Sequence, residues 1–345
     1  MTAPVAVVIA LTLTAVFLLL QVAIVVVRFR ADRRRKRVEA LRPGIETALA
    51  VYVADADSKP PELPDTELGR LVVREVALEA IVELRGSEGE RLADLLQETG
   101  AIDELCDDLV EKSPVTRRHA AEALGELQCA ASADALLFGV RDPDRDSRLA
   151  CARALAELGD GRYTRPVIDA ADEAAESRPG AAAAVLLSVG THDSPGLAYA
   201  LDPERSSAVR RLAAGVIAEL RLAEHAPLLR AALNDGDEEL ATRAARGLGA
   251  IGDFDAVDAL LAMVEGETRP WFCRAVAAGA LGAIGDPRAV PALESLLKIE
   301  DRWLMRDRAA AALSRLGEDG QAALERALES STPQVRDLAM VALES

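Results

Sequence analysis

Arginine is the most regularly spaced polar residue in this sequence. Eight positions share the pattern: Arg74, Arg117, Arg148, Arg178, Arg210, Arg274, Arg306 and Arg336. After a longer first interval the spacing stays near 30–33 residues, with Ala241 in place of one arginine. A guanidinium keeps its charge and offers five N–H donors to carboxylates or phosphates. Two interpretations follow: a row of cations for a phosphate or an acidic peptide, or internal ion pairs. We favour ion pairs with the aspartates that recur in the turns, which are Asp142, Asp160, Asp253 and Asp286.

Two tryptophans occupy the same place relative to neighbouring arginines. Trp271 precedes Arg274 by three residues, and Trp303 precedes Arg306 by three residues. The equivalent positions elsewhere are mostly small or polar, which is typical of a position that meets solvent. Because tryptophan is enriched in the energetic centres of protein interfaces, we predict that these four residues form a partner-binding patch. Local packing between two long side chains is the alternative.

Residues that perform covalent or metal chemistry are sparse. The three histidines are His119, His192 and His225, and none lies in an HExxH motif or a His-Glu pair. The four cysteines are Cys106, Cys129, Cys151 and Cys273, and they form no CxxC pair. No GxSxG, phosphate-loop or dinucleotide motif follows a strand-like segment. We therefore predict no catalytic residue, no metal site, no cofactor and no enzymatic activity, with the thiols reduced.

The spacing of the arginines also predicts the elements that carry them. The third residue after each arginine is small and the seventh is aliphatic, as Ala277 and Leu281 are after Arg274. Residues three, four and seven apart share one helix face, so each unit begins with a helix that carries an alanine stripe. A Gly-Asp-Pro turn at 285–287 and a second apolar run predict a second helix. One such pair cannot bury its own apolar face, so the copies must stack.

The unit resembles the HEAT repeat, in particular the short HEAT-like repeats named after phycobilisome lyases. The residues that carry the resemblance are Arg274, Ala277-Ala278, Ala280-Leu281-Gly282, Ile284-Gly285-Asp286 and Ala289-Val290-Pro291, with the same motif at Arg117–Gly125 and Arg243–Asp253. The resemblance implies an all-α fold: a right-handed α-solenoid, or superhelix, of about nine HEAT-like helix pairs over residues 66–345. One unit, 163–200, is degenerate, because Arg178-Pro179-Gly180 stands where a helix should start.

The resemblance implies protein binding without naming a partner, because such repeats serve many unrelated functions. HEAT-like iron hydroxylases hold their metal with His-Glu pairs, which this chain lacks, and HEAT-like DNA glycosylases bind DNA with a basic face. Here the formal net charge is −17, and residues 38–345 alone carry −23. A surface of that sign repels nucleic acid. We therefore predict protein partners and no nucleic acid.

The chain begins with a strongly apolar run at residues 5–27. Its 23 residues contain no charge, and a helix of that length can cross the ~30 Å hydrocarbon core of a bilayer. A cleaved signal peptide would have a basic start, a shorter core and a small-residue cleavage site. We therefore predict an uncleaved transmembrane helix at 5–27, preceded by an extracytoplasmic tail at 1–4.

A basic segment follows the apolar run directly. Its cations, called the basic collar below, are Arg28, Arg30, Arg33, Arg34, Arg35, Lys36 and Arg37. Positive residues beside a span stay in the cytoplasm, and the excess of arginine over lysine indicates a GC-rich bacterial genome. We therefore predict a single-pass protein of a bacterial inner membrane, N-terminus out and repeats in the cytoplasm, whose collar contacts anionic lipid headgroups.

Residues 28–65 complete the predicted link between the membrane and the repeats. We expect a helix at 38–54 that is broken at Pro43-Gly44, followed by a semi-rigid, Pro-rich linker at 55–65. The repeat domain then occupies 66–345.

These features predict a membrane-tethered scaffold or regulatory adaptor that presents a HEAT-repeat surface to membrane-associated protein partners. It would act by side-chain complementarity and by raising the local concentration of its partner. The alternative is an accessory subunit of an inner-membrane enzyme such as a glycosyltransferase. In that case Thr12, Thr14 and Gln21 of the span would pack against the helices of the enzyme.

Overall fold

The computed structural model describes residues 3–55, 58–84, 87–266, 268–299 and 302–344. The side chains at 3–16, 18–19, 23–24, 27, 30–31, 34, 82 and 299 lie outside that description. Helices, short 3₁₀ turns and loops make up the described residues, and no strand occurs among them. The all-α prediction is therefore confirmed for this part of the chain. The residues fall into two compact units, 1–107 and 108–345.

The first unit is built from one long helix and three shorter ones. These are α1 (Ala3–Ala54), α2 (Glu67–Glu83), α3 (Ser87–Glu98) and most of α4 (Ala101–Asp108). Ile45 and Leu49 of α1 are buried, as are Val72 and Val76 of α2, with which α1 packs.

The predicted break at Pro43-Gly44 is wrong, because α1 continues through both residues. Proline removes one N–H from the helix ladder and its ring crowds the preceding turn. Both residues are exposed here, and Thr47 Oγ1 donates to the Pro43 carbonyl at 2.8 Å. A long helix with packed residues on the C-terminal side of the proline tolerates this single loss.

The Pro-rich linker is non-helical at residues 58–65, as predicted. Arg91 of α3 binds the start of the linker. Its Nη1 donates to the Asp55 carbonyl at 2.8 Å, and its guanidinium lies 4.5 Å from the centre of the Tyr52 ring. The linker therefore has a fixed start within the first unit.

Most side chains of the predicted span, 5–27, lie outside the description. No helix within the described residues is long and apolar enough to cross a membrane. In the basic collar, the side chains of Arg30 and Arg34 also lie outside it. The other five are exposed. Lys36 pairs with Asp32 at 2.9 Å and Arg35 with Glu39 at 2.8 Å.

The second unit is a series of helix pairs. The first helices of the pairs, called A helices, are α5 (Pro114–Glu126), α7 (Arg145–Glu157), α9 (Pro179–His192), α11 (Ser207–Leu220), α13 (Glu238–Ile251), α15 (Trp271–Ile284), α17 (Trp303–Leu313) and α19 (Pro333–Glu344). The second helices, called B helices, are α6 (Ala133–Gly139), α8 (Thr164–Ala174), α10 (Leu197–Ala200), α12 (Ala226–Ala232), α14 (Val257–Glu265), α16 (Val290–Ile299) and α18 (Gly317–Leu328). Each A helix packs against the next A helix along the chain.

The described residues of the second unit thus hold seven complete pairs and the single helix α19. The prediction of about nine pairs covered residues 66–345, which also include α2, α3 and α4. Arg74, which was assigned to the first pair, lies in α2 of the first unit. The long interval between Arg74 and Arg117 is filled by two helices, α3 and α4. Arg336, which was assigned to the last pair, lies in α19.

Local sequence explains where each pair turns. Helix α15 ends before Gly285, whose φ of 83° is in the left-handed region that favours glycine. Asp286 follows and accepts the Arg288 N–H at 2.9 Å, which caps a 3₁₀ turn. Helix α16 then begins at Val290, so the predicted helix, Gly-Asp-Pro turn and helix are confirmed.

The predicted apolar stripe forms the core. Ala120, Ala213 and Ala277, three residues after their arginines, are buried, as are Leu124 and Leu281 at the seventh position. The unit at 163–200 departs from this pattern.

In that unit Ala181 is exposed and Ala182 is buried instead. Pro179 occupies the first turn of α9, where its missing N–H costs nothing. Helix α9 is thus regular, and the degeneracy is in the partner α10, which has only four residues.

Neighbouring A helices meet through glycine and alanine. A Cβ added to Gly282 of α15 would lie 2.6 Å from Cα of Ala312 in α17, and one added to Gly249 of α13 would lie 2.8 Å from Cα of Ala280 in α15. Such distances leave no room for a methyl group. The layers therefore approach until backbone meets backbone.

We predict that Gly282→Ala destabilises the protein although alanine is the better helix former. The new methyl must push α15 from α17, which costs about 1–3 kcal/mol and exceeds the ~0.5–1 kcal/mol helix gain. Gly279→Ala is the matched control in the same helix, because open space surrounds its Cβ position. It should be neutral or slightly stabilising. Chemical denaturation of both variants measures the difference, and equal stabilities would contradict the close contact.

Candidate functional site

The regular arginines bind the protein itself. Arg117 makes a two-pronged ion pair with Asp142, at 2.6 Å from Nε and 2.8 Å from Nη2. Its Nη1 also donates to the Glu111 carbonyl at 2.8 Å. The side chains of Arg117 and Asp142 are 12% and 8% exposed, so little solvent screens the pair. This pairing agrees with the favoured interpretation of the arginine pattern.

Other arginines of the pattern bind the turn that precedes their own helix. Arg148 donates to the Asp142 carbonyl at 2.9 Å, Arg274 to the Val264 carbonyl at 2.9 Å and Arg336 to the Ser330 carbonyl at 2.7 Å. They satisfy carbonyls that a helix C-terminus or turn leaves without an intrahelical partner. Backbone binding of this kind had no counterpart in the sequence interpretation.

Three of the four predicted aspartate partners bind different arginines. Asp160 pairs with Arg162, Asp253 with Arg230, and Asp286 with Arg288. These arginines lie outside the regular pattern. The residue types were thus predicted correctly, but the pairing was right only for Asp142.

The position where the pattern has Ala241 is served by an arginine from the next loop. Arg269 donates to the Leu233 carbonyl at 2.8 Å and to the Asp235 carbonyl at 3.0 Å, and it pairs with Glu238 at 2.9 Å. The turn before α13 is therefore held from the following layer.

Ser194, Glu224 and His225 bring together the side-chain types of nucleophilic catalysis. Nε2 of the buried His225 lies 2.8 Å from the Ser194 carbonyl and 3.2 Å from its hydroxyl. A carbonyl can only accept, so Nε2 donates and cannot act as a base. The hydroxyl donates to Glu224, which lowers the pKa of that carboxyl. This geometry links two 3₁₀ turns and does not activate Ser194.

The thiols have no geometry for chemistry either. No disulfide bond joins Cys106, Cys129, Cys151 and Cys273. Burial raises the pKa of Cys151 to about 12 and also raises the pKa of Cys273, so both stay protonated and unreactive. Within the described residues, no group of three or more His, Cys, Asp or Glu side chains could hold a metal ion.

The predicted tryptophan patch lies at the start of two neighbouring A helices. Trp271 opens α15 and is 37% exposed, and Trp303 opens α17 and is 62% exposed. The Arg302 guanidinium lies 5.6 Å from the Trp271 ring centre, so the two helix starts are close. Arg274 and Arg306 are half-buried.

A groove runs across three A helices beside Trp271. We call it the α13–α15–α17 groove, and its volume is about 470 Å³. Small residues form most of its floor, including Gly249, Ala275, Gly279 and Ala283. Trp271 and the exposed Phe272 lie at one end, with their rings edge to face at 6.1 Å. Of the four predicted patch residues, Trp271 lines this groove.

Three arginines line the same groove. Arg246 comes from α13, Arg308 from α17 and Arg315 from the loop after α17. All three are exposed. Among the described residues, no ion pair or side-chain hydrogen bond engages any of them. Among the residues that the structure describes, no carboxylate lines this groove.

Two other grooves on the A helices have the opposite character. One, of about 880 Å³, is lined by Arg211 and four carboxylates: Asp235, Asp237, Glu238 and Glu239. The other, of about 420 Å³, is lined by three arginines and four carboxylates: Glu122, Glu126, Asp146 and Glu157. The α13–α15–α17 groove is therefore a local cationic region in a chain of net charge −17.

Sequence reasoning missed Phe272 and all three groove arginines. The position of Phe272 next to Trp271 was a usable signal. Arg246, Arg308 and Arg315 occupy different places in their repeats, so no periodic pattern marks them. Only the packing of three helices brings them together.

The fold defines the chain as an α-helical repeat protein. The family model for HEAT repeats matches residues 102–188, 194–272 and 269–344. These segments cover more than half of the chain, and the protein belongs to the HEAT-repeat family. The match is to HEAT repeats in general and does not single out the phycobilisome-lyase type. No curated protein matches the sequence.

Solved structures with similar folds include Kap121p bound to Nup53p, with a TM-score of 0.53 and 13% identity over 89% of this chain and 37% of that one. A Kap121p mutant gives a TM-score of 0.52 at 14% identity, over 89% of this chain and 36% of that one. Human deoxyhypusine hydroxylase in complex with glycerol gives 0.31 at 18% identity, over 91% and 97%. This chain spans little more than a third of Kap121p. At these identities the likeness concerns the fold alone.

We predict that Arg117→Ala and Arg246→Ala have opposite consequences for stability. Arg117→Ala leaves the Asp142 carboxylate buried without its cation and should cost about 2–4 kcal/mol. Arg246→Ala removes an exposed side chain and should stay within about 0.5 kcal/mol of wild type. Denaturant unfolding of the two variants measures both values. A similar loss in both would show that the groove arginines also support the fold.

Proposed function

We propose that this protein is a membrane-tethered scaffold or regulatory adaptor, without enzymatic activity, that binds a membrane-associated protein at the cytoplasmic face of a bacterial inner membrane. In this proposal its repeats form a right-handed superhelix of short HEAT-like units, and the helix at 5–27 anchors it. The α13–α15–α17 groove is the principal binding site. The observation that carries the proposal is the exposed aromatic pair, Trp271 and Phe272, at the end of this groove.

The groove has the features of a protein-binding site. Its volume falls in the range of about 300–1,000 Å³ that is typical of ligand pockets. Trp271 keeps part of its large apolar surface exposed, and tryptophan is frequent in interface centres. Trp303 opens the neighbouring helix α17 and is 62% exposed, which adds a second accessible ring. Burying these rings against a partner would remove apolar surface from water.

The first helix supports the proposed anchor. Phe17, Leu20, Val22 and Val25 are each more than half exposed, which is unfavourable in water and favourable in lipid. They belong to the uncharged run 5–27, and the basic collar follows it. Such an order favours insertion with the collar on the cytoplasmic side, next to anionic headgroups.

The histidine, serine and cysteine side chains described above are not arranged for catalysis, which favours a binding role. His225 and Ser194 are engaged in a link between turns, and the pKa of the Cys151 thiol is about 12. The groove itself is lined by arginine, aromatic and small residues, which suit recognition.

Loss of the tryptophans should reduce partner capture. We expect the full chain, tagged and recovered from host membranes, to retain a specific partner, and Trp271→Ala with Trp303→Ala to lower its recovery at least ~10-fold. Phe138→Ala with Phe254→Ala is the matched control, because both phenylalanines are exposed and lie outside the groove. Quantitative mass spectrometry measures recovery. Equal recovery from both double variants would rule out the groove as the binding site.

A variant with a different membrane span tests the enzyme-subunit alternative in the same partner-capture experiment. Residues 5–27 are replaced by an unrelated apolar helix of equal length. A scaffold that binds through its repeats should keep its partner. If the partner is recovered with the wild type and lost with this span variant, the result would favour packing of Thr12, Thr14 and Gln21 against an enzyme.

Native thiols can test the proposed orientation. Cys106 and Cys129 are partly exposed, so a membrane-impermeant maleimide should label them only after spheroplasts are permeabilised. Thr2→Cys is the control and should be labelled in intact spheroplasts. Labelling of the native cysteines before permeabilisation, or recovery of the chain outside the membrane fraction, would contradict the proposal.

A further inference from the structure

We propose that the α13–α15–α17 groove recognises an acidic peptide segment in which carboxylates flank an apolar side chain. This inference rests on the proposed function and specifies the partner's chemistry. It concerns the charge and shape of this one groove.

The charge of the groove is the first support. Arg246, Arg308 and Arg315 line it, and no carboxylate of the described part of the chain does. The other two grooves each have more carboxylates than arginines. The arginines lie on both sides of the floor, since Arg246 belongs to α13 and the other two belong to α17 and its following loop. A ligand that crosses α15 would therefore meet positive charge at both margins.

The availability of these arginines is the second support. Across the second unit, arginines such as Arg117, Arg210 and Arg230 are held by aspartates. The three groove arginines have no such partner among the described residues. Arginine binds a carboxylate through two parallel N–H donors. Because no internal ion pair has to break, a peptide carboxylate gains that interaction in full.

The floor of the groove determines what lies between the carboxylates. Gly249, Ala275, Gly279 and Ala283 leave a shallow surface without protruding side chains, and Gly279 has open space above it. Val276 and Leu304 add aliphatic surface, and the Trp271–Phe272 pair closes one end. A leucine, isoleucine or aromatic side chain of the ligand fits this surface by burying apolar area.

A short peptide suits the surrounding field better than a nucleic acid does. Residues 38–345 carry a net −23, which opposes the approach of a long polyanion. A segment with a few carboxylates meets mainly the three arginines, because charges beyond ~10 Å are screened at physiological salt. The groove also lacks the succession of cations along a path that a nucleic acid backbone needs.

Three fluorescein-labelled peptides of twelve residues test the inference. They share a central Phe-Leu and differ only in their flanks, which are glutamate, glutamine or lysine. We expect the full chain in mild detergent to bind the glutamate peptide at least ~10-fold more tightly than the glutamine peptide, by fluorescence anisotropy. Binding of the lysine peptide should be weaker still. Raising the salt from about 0.1 M to 0.5 M should remove most of this preference.

Matched variants assign the effect to the groove. Arg246→Gln, Arg308→Gln and Arg315→Gln together should abolish the preference for glutamate. Arg141→Gln, Arg145→Gln and Arg221→Gln change the net charge equally, at exposed arginines outside the groove without described ion pairs, and should leave it intact. Gly279→Leu should block all three peptides, because its side chain starts where an added Cβ meets no atom within 4 Å and then occupies the floor.

Three results would overturn the inference: equal binding of the glutamate and glutamine peptides, a preference that survives the groove triple variant, or tighter binding of a labelled single-stranded DNA. These results differ from failure of the proposed function. A membrane partner that is lost with the tryptophans but retained by the groove triple variant would refute acidic recognition and leave the scaffold proposal standing.

Discussion

The contact between backbone atoms of successive A helices is the constraint on which this structure depends. Gly282 against Ala312 and Gly249 against Ala280 leave no space for a side chain between the layers. The energy of such a contact comes from many close van der Waals pairs, which a single methyl group disrupts. The alanine stripe is therefore a requirement of the stacking. Glycine and alanine also cover part of the exposed face of these helices. Because their side chains are so small, the floor of the groove is smooth.

Arginine has two roles in this chain: some arginines hold turns of the fold, and others line a groove without an ion pair among the described residues. Most of those that recur with the repeat bind carbonyls or aspartates at turns and helix ends. Arg246, Arg308 and Arg315 do not belong to the regular arginine pattern, and their side chains line the groove. Arg162, Arg230 and Arg288 hold individual turns without recurring, whereas a residue that holds the same turn in every repeat must recur. A residue that serves one ligand has no reason to do so, and specificity in repeat proteins is found where the pattern is broken.

Much of the fold followed from periodicity, and the site did not. Helix positions, the turn at Gly285 and the burial of Ala277 and Leu281 depend on residues close in sequence, so a local pattern predicts them. In α9 the core contains Ala182 where the local pattern predicted Ala181. The continuous helix through Pro43 reflects its surroundings. The groove requires three helices separated by some thirty residues each, and a single sequence offers no local signal for that assembly.

The four-residue helix α10 has a mechanical consequence. In a linear array each layer is held by its two neighbours alone, so tension along the array is carried by every layer in turn. The pair α9–α10 has the shortest B helix among the described residues of the second unit. Its B helix therefore offers the smallest packing area to hold this layer to its neighbours. Under load this layer should give first, while the layers α13 to α17 stay intact. If such an array is anchored at one end and bound to a partner at the other, tension would unfold the α9–α10 layer first and leave the partner bound.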